Sequence, residues 1–142
     1  MLEVFTKTEY DQFNLFKIAP RQQLVCDLID WGFENSTQPL KLDEISNILL
    51  SSRRTLIQGC TENFQRGPME LLRLIRLEQV NYVLRSHELR KSLGIYKIGD
   101  IAQHFGFTSR GHFSASYQNY FGETPRQTLA HSKHQPIGAK KK

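Results

Sequence analysis

Cysteine is scarce in this sequence, where Cys26 and Cys60 are the only two and both lie among apolar neighbours. Two cysteines cannot form the disulfide framework of a small secreted domain. Each is therefore expected to be a small buried side chain rather than a nucleophile. A secretory leader and a long apolar run are also missing, which favours a reduced, cytoplasmic protein that does not bind membranes.

Patterns for enzyme chemistry are absent as well. The sequence has no Ser-His-acid set, no glycine-rich phosphate loop and no metal-binding cluster. His131 and His134 are three residues apart, but no cysteine or acidic neighbour completes a four-ligand site. We therefore expect neither an enzyme, nor a bound metal, nor a cofactor.

Positive charge is concentrated towards the end of the chain. The 142 residues contain 19 basic and 14 acidic side chains. Residues 1–40 carry a net charge of −3, whereas residues 81–142 carry +7. Such a field favours polyanionic partners, nucleic acid before a membrane surface. The length suits one domain, or two very small domains that share an interface.

The stretch from Ile98 to Pro125, IGDIAQHFGFTSRGHFSASYQNYFGETP, has the pattern of two helices joined by a short turn. Ser109 is a candidate N-cap of the second helix, and Gly122 is expected to end that helix. The residues spaced to face inward are Ile98, Ile101, Ala102 and Phe105 in the first helix, and Phe113, Ser116, Tyr117, Tyr120 and Phe121 in the second. A glycine-containing turn is typical of a helix-turn-helix, although an ordinary helical hairpin remains an alternative.

This stretch resembles the second helix-turn-helix of AraC/XylS-type transcription regulators. The agreement covers about ten positions in order and spacing. They are Ile98, Ile101-Ala102, Gly106-Phe107, Ser109, Phe113, a later aromatic, Phe121-Gly122 and Pro125. The resemblance implies an all-α DNA-binding fold, promoter binding and, in many members, activation through RNA polymerase.

An internal repeat places a first copy of the motif upstream. Ile45, Ser46 and Leu49 lie 56 residues before Ile101, Ala102 and Phe105. Four further positions, Leu56, Cys60, Phe64 and Pro68, lie 57 residues before Phe113, Tyr117, Phe121 and Pro125. Because the offset increases by one inside the turn, the second copy is expected to have a turn one residue longer.

The first copy departs from the family pattern at several positions. Leu50 and Gln65 stand where the family usually has glycine, Cys60 replaces an aromatic, and Gly59 lies inside a helix. A leucine held at positive φ costs about 1–2 kcal/mol. The first unit is therefore expected to be looser or to use a different turn. Its support helix would bury Leu42, Ile45, Ile48 and Leu49, and Ser52 would cap the next helix.

A long helix is expected from Pro68 through Ser86, with apolar residues on more than one face. At roughly 27 Å it could hold two recognition helices about one duplex turn apart. The arginines Arg73, Arg76 and Arg85 would either contact phosphate or pair with Glu70, Glu78 and Glu88.

The sequence thus predicts an all-α, homeodomain-like protein of about seven helices, with two helix-turn-helix subdomains joined by a long linker helix. The expected divisions are an N-terminal extension or linker remnant (1–20), a first subdomain (21–67), a linker helix and connection (68–92), a second subdomain (93–130) and a disordered basic tail (131–142).

Carry-over from the family assigns base contacts to Arg54, Ile57 and Gln58 in one box, and to Arg110, Gly111, Ser114 and Ala115 in the other. Two further candidates come from their place in the helices: Arg53 projects outward beside Arg54, and His112 begins the second recognition helix, where it could contact phosphate. Arg and Gln can read guanine and adenine edges, so base preference is expected to be sharper in the first box. Arg53 and Arg54 could instead form a solvated basic face, and His112 could be an ordinary half-exposed residue.

The leading hypothesis is a sequence-specific bacterial transcription regulator, or the DNA-binding half of one. It would bind double-stranded DNA as a monomer, and the resemblance favours an activator over a repressor and RNA polymerase as a partner. The alternative is a helical protein-interaction module that has lost specific DNA binding.

Overall fold

The computed structural model describes residues 20–134, which form eight α-helices and no β-strand. The helices are α1 (Pro20–Glu34), α2 (Leu42–Ile48), α3 (Arg53–Phe64), α4 (Pro68–Arg85), α5 (His87–Leu93), α6 (Ile98–His104), α7 (Arg110–Phe121) and α8 (Pro125–His134). The all-α prediction is confirmed. The eighth helix is α5, in a segment that was expected to be a connection. The predicted N-terminal extension, apart from Pro20, and residues 135–142 of the predicted tail lie outside the described residues.

The described chain divides into two compact units. The first contains residues 20–31 and 41–71, and the second contains residues 32–40 and 72–134. The short segment after α1 therefore belongs with the second unit. The predicted linker helix, α4, starts in the first unit and continues into the second.

Each unit contains one copy of the helix-turn-helix. The support helices α2 and α6 both have seven residues, and the recognition helices α3 and α7 both have twelve. Four residues separate α2 from α3 and five separate α6 from α7, so the second turn is one residue longer, as predicted. Thr108 is the additional residue, since Ser51 and Phe107 make equivalent bonds to the carbonyls of Ser46 and Ala102.

Most of the repeated positions are buried in both copies, which confirms the internal repeat; the exceptions are Leu49 and Phe64 in the first copy and Phe121 in the second. Ile45 and Ile101 are each at most 1% exposed, and Cys60 and Tyr117 are fully buried. The core of the second unit is formed by side chains from α4, α6, α7 and the residue after α6: Leu77, Val80, Val83, Leu84, Ile101, Ala102, Phe105, Phe113 and Tyr117. In the first unit Val25, Leu28, Ile45, Leu56, Cys60 and Leu71 are buried.

Four residues that the helical spacing placed inward are exposed. Ile48 is 57% exposed because the short helix α2 buries Ile45 and Ser46 instead. Phe64 lies at the end of α3 and is 42% exposed. On α7 only Phe113 and Tyr117 are buried, so Ser116 and Tyr120 were also wrongly placed. A helix buries a stripe set by its neighbours, which is narrower than the periodicity suggests.

The buried hydroxyl of Tyr117 joins α7 to α4 and α8. It accepts a hydrogen bond from Asn81 Nδ2 at 2.7 Å and donates one to Thr128 Oγ1 at 2.8 Å. Thr128 in turn donates to the carboxylate of Glu123. Burial raises the pKa of the Tyr117 phenol above its ordinary value, while the two hydrogen bonds oppose the rise. The network fixes the orientation of α7 within its unit.

The turns of the two copies share one backbone conformation despite different residues. Leu50 and Gln65 adopt φ of 55° and 54°, and the equivalent Gly106 and Gly122 adopt 92° and 77°. Gln65 and Gly122 also make the same bond, from their N–H groups to the carbonyls of Thr61 and Gln118. The first copy therefore does not use a different turn; it holds two side-chain-bearing residues in the left-handed region.

Replacing Leu50 by glycine is expected to raise the free energy of unfolding by about 0.5–1 kcal/mol. Glycine removes roughly 1–2 kcal/mol of strain due to the left-handed conformation. The greater conformational entropy of glycine in the unfolded chain offsets about 0.5–1 kcal/mol of this gain. No burial is lost, because Leu50 is 92% exposed. Urea unfolding measures the effect. Ser51→Gly is the control, since its φ is not positive and only destabilisation is expected. Equal destabilisation by both changes would contradict the interpretation.

The glycine inside α3 has a packing explanation. A Cβ at Gly59 would lie 3.0 Å from Val25 Cγ2 and 3.2 Å from the carbonyl oxygen of Arg21. Both neighbours belong to α1, so α1 and α3 approach closely at this point. Gly59 weakens α3 locally because it has no side chain. The same lack of a side chain permits the close contact between α1 and α3 within the first unit.

Two buried arginines serve the fold of the second unit. Arg76 is 5% exposed and donates hydrogen bonds to the carbonyl oxygens of Asn35, Gln38 and Phe105. Arg90 donates to the carbonyl oxygens of Val83 and Leu84 near the end of α4. Burial lowers the pKa of both guanidinium groups from its ordinary value. Arg76 is therefore neither a phosphate contact nor an ion-pair partner, which corrects both alternatives considered for it.

Helix α8 continues to His134, four residues beyond the predicted boundary at residue 130. Its last turns have partners elsewhere in the second unit. His131 Nδ1 lies 3.2 Å from Glu123 Oε1, and Ser132 Oγ donates to the carbonyl of Arg85 at 3.3 Å. Composition alone predicted a tail here because it does not reveal such tertiary contacts.

Candidate nucleic-acid interface

Helix α3 exposes all four residues assigned to the first recognition surface. Leu56, Gly59 and Cys60 are its buried residues. The exposed set consists of Arg53, Arg54, Ile57 and Gln58, with Ile57 at 40% exposure. Ser52 accepts a hydrogen bond from the N–H of Thr55 at 3.1 Å, so the predicted N-cap is confirmed. The cap fixes the start of the helix, where both arginines are presented.

The two arginines of α3 differ in their surroundings. Arg53 Nε lies 3.3 Å from Asp43 Oδ1 of α2, with both side chains more than half exposed. Such exposed pairs contribute little stability and exchange readily. Arg54 forms no ion pair or hydrogen bond within residues 20–134, so its five donors remain available to a ligand.

Helix α7 likewise exposes its whole predicted set, Arg110, Gly111, His112, Ser114 and Ala115. Ser109 accepts a hydrogen bond from the N–H of His112 at 3.3 Å, which confirms it as the N-cap. A Cβ added at Gly111 would meet nothing within 4 Å. The outward face near the start of α7 therefore consists of very small side chains, and a groove floor could approach its backbone closely.

Electrostatics favour an anion at the start of both recognition helices. Neither α3 nor α7 has an acidic residue in its first turn. Each helix start carries unpaired backbone N–H groups and the positive end of the helix dipole. The support helices differ, since Asp43 and Glu44 lie in the first turn of α2 and Asp100 in that of α6.

Ten arginines lie within the described residues, and six of them have partners in the protein. Arg21, Arg53 and Arg66 pair with Glu62, Asp43 and Glu70. Arg76 and Arg90 bond to backbone carbonyls, and Arg85 Nε bonds to Asn81 Oδ1 at 2.8 Å. Arg73 and Arg85 do not form the predicted pairs with Glu70, Glu78 or Glu88. Four arginines, Arg54, Arg73, Arg110 and Arg126, have no such partner in this part of the chain.

Residues 20–134 contain no reactive cysteine, metal site or membrane-spanning helix that would indicate another function. Cys60 is fully buried, and burial raises the pKa of its thiol to about 11, which makes it a poor nucleophile. Cys26 is half-buried. Within these residues no three His, Cys, Asp or Glu side chains are grouped to hold a metal. None of the described helices combines the length and apolar character needed to cross a membrane.

A family model described as a helix-turn-helix domain matches residues 45–131, which include both recognition helices. A solved regulator from Chromobacterium violaceum, described as containing an AraC-type DNA-binding domain, superposes with a TM-score of 0.70 at 25% identity. The alignment covers 81% of this chain and 96% of that one. This chain belongs to the AraC/XylS-type regulators. The prediction from the stretch at residues 98–125 is therefore confirmed, and the family consists of transcription regulators rather than enzymes.

Other similar proteins also carry regulatory names. The HTH-type transcriptional regulator ArgR of Pseudomonas aeruginosa is 34% identical over 93 residues, which are 66% of this chain and 26% of ArgR. The XylDLEGF operon transcriptional activator 2 of Pseudomonas putida is 29% identical over 68% of this chain and 59% of its own length. The chain thus spans between about a quarter and three fifths of these two relatives. A dual regulator from Escherichia coli K-12 shares the fold, with a TM-score of 0.65 and 22% identity.

Two exposed arginines near the recognition helix α7, Arg73 and Arg126, were not predicted as DNA-binding residues from the AraC/XylS-type resemblance. Arg126 was not among the predicted site residues, although it follows Pro125 at the start of α8 and is exposed. A signal was available, because proline at the first position of a helix places the next residue in a first turn. For Arg73 the sequence left the same two alternatives as for Arg76 and Arg85, a phosphate contact or a pair with a glutamate.

Proposed function

We propose that this chain binds an operator of two boxes in double-stranded DNA, with α3 in one major-groove segment and α7 in another. The supporting observation is the repeated helix-turn-helix, in which each recognition helix buries one face in its own unit and exposes its capped, acid-free start. Helix-turn-helix proteins insert this end of the second helix into the major groove. Promoter binding in the bacterial cytoplasm is part of the proposal.

The two helices would contribute differently to recognition. Arg54 and Gln58 carry bidentate hydrogen-bonding groups suited to guanine and adenine, and Ile57 offers apolar contact to a thymine methyl. Arg53, which lies beside Asp43, would contribute mainly to positioning. In the second box Gly111 and Ala115 permit close approach, while Arg110, His112 and Ser114 supply few base-reading groups. Sequence preference should therefore be sharper in the box bound by α3.

Activation, rather than repression, is the proposed consequence of binding. The relative from Pseudomonas putida is named an operon transcriptional activator, and RhaS of Escherichia coli O157:H7 is named an HTH-type transcriptional activator. RhaS is 28% identical over 81% of this chain. RNA polymerase is the partner that activation requires, and a monomer is sufficient because one chain carries two recognition helices.

The alternative function is a protein-interaction module. It is favoured by the apolar side chains exposed at the first turn, where Ile48 is 57% and Leu50 is 92% exposed. A regulator that reads DNA through α3 does not need leucine at this place. The two functions differ in whether any DNA sequence is bound selectively.

Selection of bound duplexes from a randomised pool of about 30 base pairs, at near-physiological salt, tests the proposal. Two enriched boxes about one duplex turn apart are the expected result. One enriched box would mean that a single unit reads sequence. No enrichment, from a protein shown to be folded by circular dichroism, would reject the operator proposal in favour of the interaction module.

A further inference from the structure

Two clefts of the second unit border the start of α7. The first has a volume of about 460 Å³ and is lined by residues of α6, α7 and α8, among them Gly99, Arg110, Ser114 and Arg126. The second, of about 390 Å³, lies between α4 and α7 and is lined by Arg73, Ser109, His112 and Ser116, among others. Each cleft thus combines a residue of the recognition helix with an arginine from a helix outside the motif.

The clefts lie on opposite flanks of α7. Successive helical residues are about 100° apart, so Arg110 and Ser114 fall on one side, and His112 and Ser116 on the other, with roughly 160° between the two pairs. The small residues Gly111 and Ala115 occupy the outward stripe between them. A helix in the major groove has one phosphate backbone on each flank, because the groove width of about 12 Å matches a helix diameter.

Both clefts carry positive charge that no neighbouring carboxylate of the described residues neutralises. No carboxylate is among the described residues that line either one. Arg73, Arg110 and Arg126 are three of the four arginines without a hydrogen-bond or ion-pair partner in residues 20–134. The guanidinium of Arg110 lies against α6, where a Cβ on Gly99 would be 3.4 Å from its Nη2, so it faces the cleft it shares with Arg126. Arginines without partners are suited to phosphate.

We propose that Arg126 and Arg73 each bind one backbone phosphate of DNA, on opposite strands of the major groove that α7 enters. Arg110 assists Arg126 on one flank, and His112 assists Arg73 on the other. The recognition helix is then held on the DNA mainly by arginines of α4 and α8, and Arg110 and His112 of α7 have a supporting role. This explains how a helix with Gly111 and Ala115 on its outward stripe is positioned. The inference rests on the DNA binding proposed above.

The test compares Arg73→Gln and Arg126→Gln with the wild-type chain on the duplex enriched by selection. The slope of log K against log salt concentration should become shallower by about 0.9 in each variant and about 1.8 in the double variant. The order of preferred sequences should stay the same, because phosphate contacts carry no base information. Lys91→Gln, an exposed residue of α5 that lines neither cleft, is the charge-matched control.

Single methylphosphonate linkages, which remove one phosphate charge at a time, locate the contacts. Wild-type binding should weaken at positions on both strands beside one box. Arg126→Gln should lose the sensitivity on one strand, and Arg73→Gln the sensitivity on the other. Loss on the same strand in both variants, unchanged salt slopes, or an altered sequence preference would overturn the proposed phosphate clamp. In those cases the wild type still binds its selected duplex, whereas a selection that enriches no duplex rejects the proposed function itself.

Discussion

Replacing Arg76 by methionine is expected to lower the free energy of unfolding by about 2–4 kcal/mol. Methionine keeps much of the aliphatic volume but removes the donors that bond to the carbonyls of Asn35, Gln38 and Phe105. Hydrogen bonds from a charged donor contribute about 1.5–3 kcal/mol each, and a buried acceptor left unpaired costs about 1–3 kcal/mol. The net loss is smaller than the sum of these contributions because the methionine variant no longer buries a guanidinium charge. The segment of residues 32–40, which two of these bonds join to α4 within the second unit, should loosen first. Urea unfolding and amide exchange of this segment are the measurements.

Arg73→Met is the matched control for this prediction. Arg73 lies one helical turn earlier on α4 but is exposed and has no partner in the described residues, so a change within about 0.5 kcal/mol is expected. Arg76→Lys should restore only part of the lost stability, because one ammonium group lacks the planar fork that reaches several carbonyls. Equal effects at positions 73 and 76 would show that the buried bonds do not stabilise the fold.

The repeated motif was predictable because its signals are local. Turn length, the two serine caps and the buried pairs Ile45/Ile101 and Cys60/Tyr117 follow from spacing along a single helix pair. The left-handed conformation of Leu50 and Gln65 could be suspected from the equivalent glycines of the second copy. The sequence could not show whether the first turn would adopt another conformation or hold Leu50 at positive φ, because both alternatives preserve the same hydrophobic pattern.

The role of each arginine could not be predicted, since it depends on distant parts of the chain. Arg73, Arg76 and Arg85 lie on one helix and carry the same charge, yet one is exposed, one is buried among carbonyls and one bonds to Asn81. Arg90 of α5 contributes to the positive charge of the C-terminal half, but its side chain is buried against the end of α4. Net charge indicated the correct class of partner, whereas the structure identifies which cations are available to it.

Arg54→Ala is expected to reduce discrimination in one box by roughly 5- to 150-fold, the range for losing one good bidentate base contact. Arg54 is exposed at the capped start of α3, and no partner in residues 20–134 has to be displaced before it contacts a base. Repeating the selection with the variant should leave one box enriched and the other with weak preference.

Arg53→Ala is the control from the same helix turn. Its guanidinium is already 3.3 Å from Asp43, so DNA must compete with a carboxylate for it, and the expected loss is a modest, sequence-independent fall in affinity. An Arg54→Ala protein that retained the full preference in both boxes would show that α3 does not read bases through Arg54. If Arg53→Ala instead changed the preferred sequence, Arg53 rather than Arg54 would be the residue that reads a base. Only one of the two can face a given base edge, because adjacent side chains of a helix point about 100° apart.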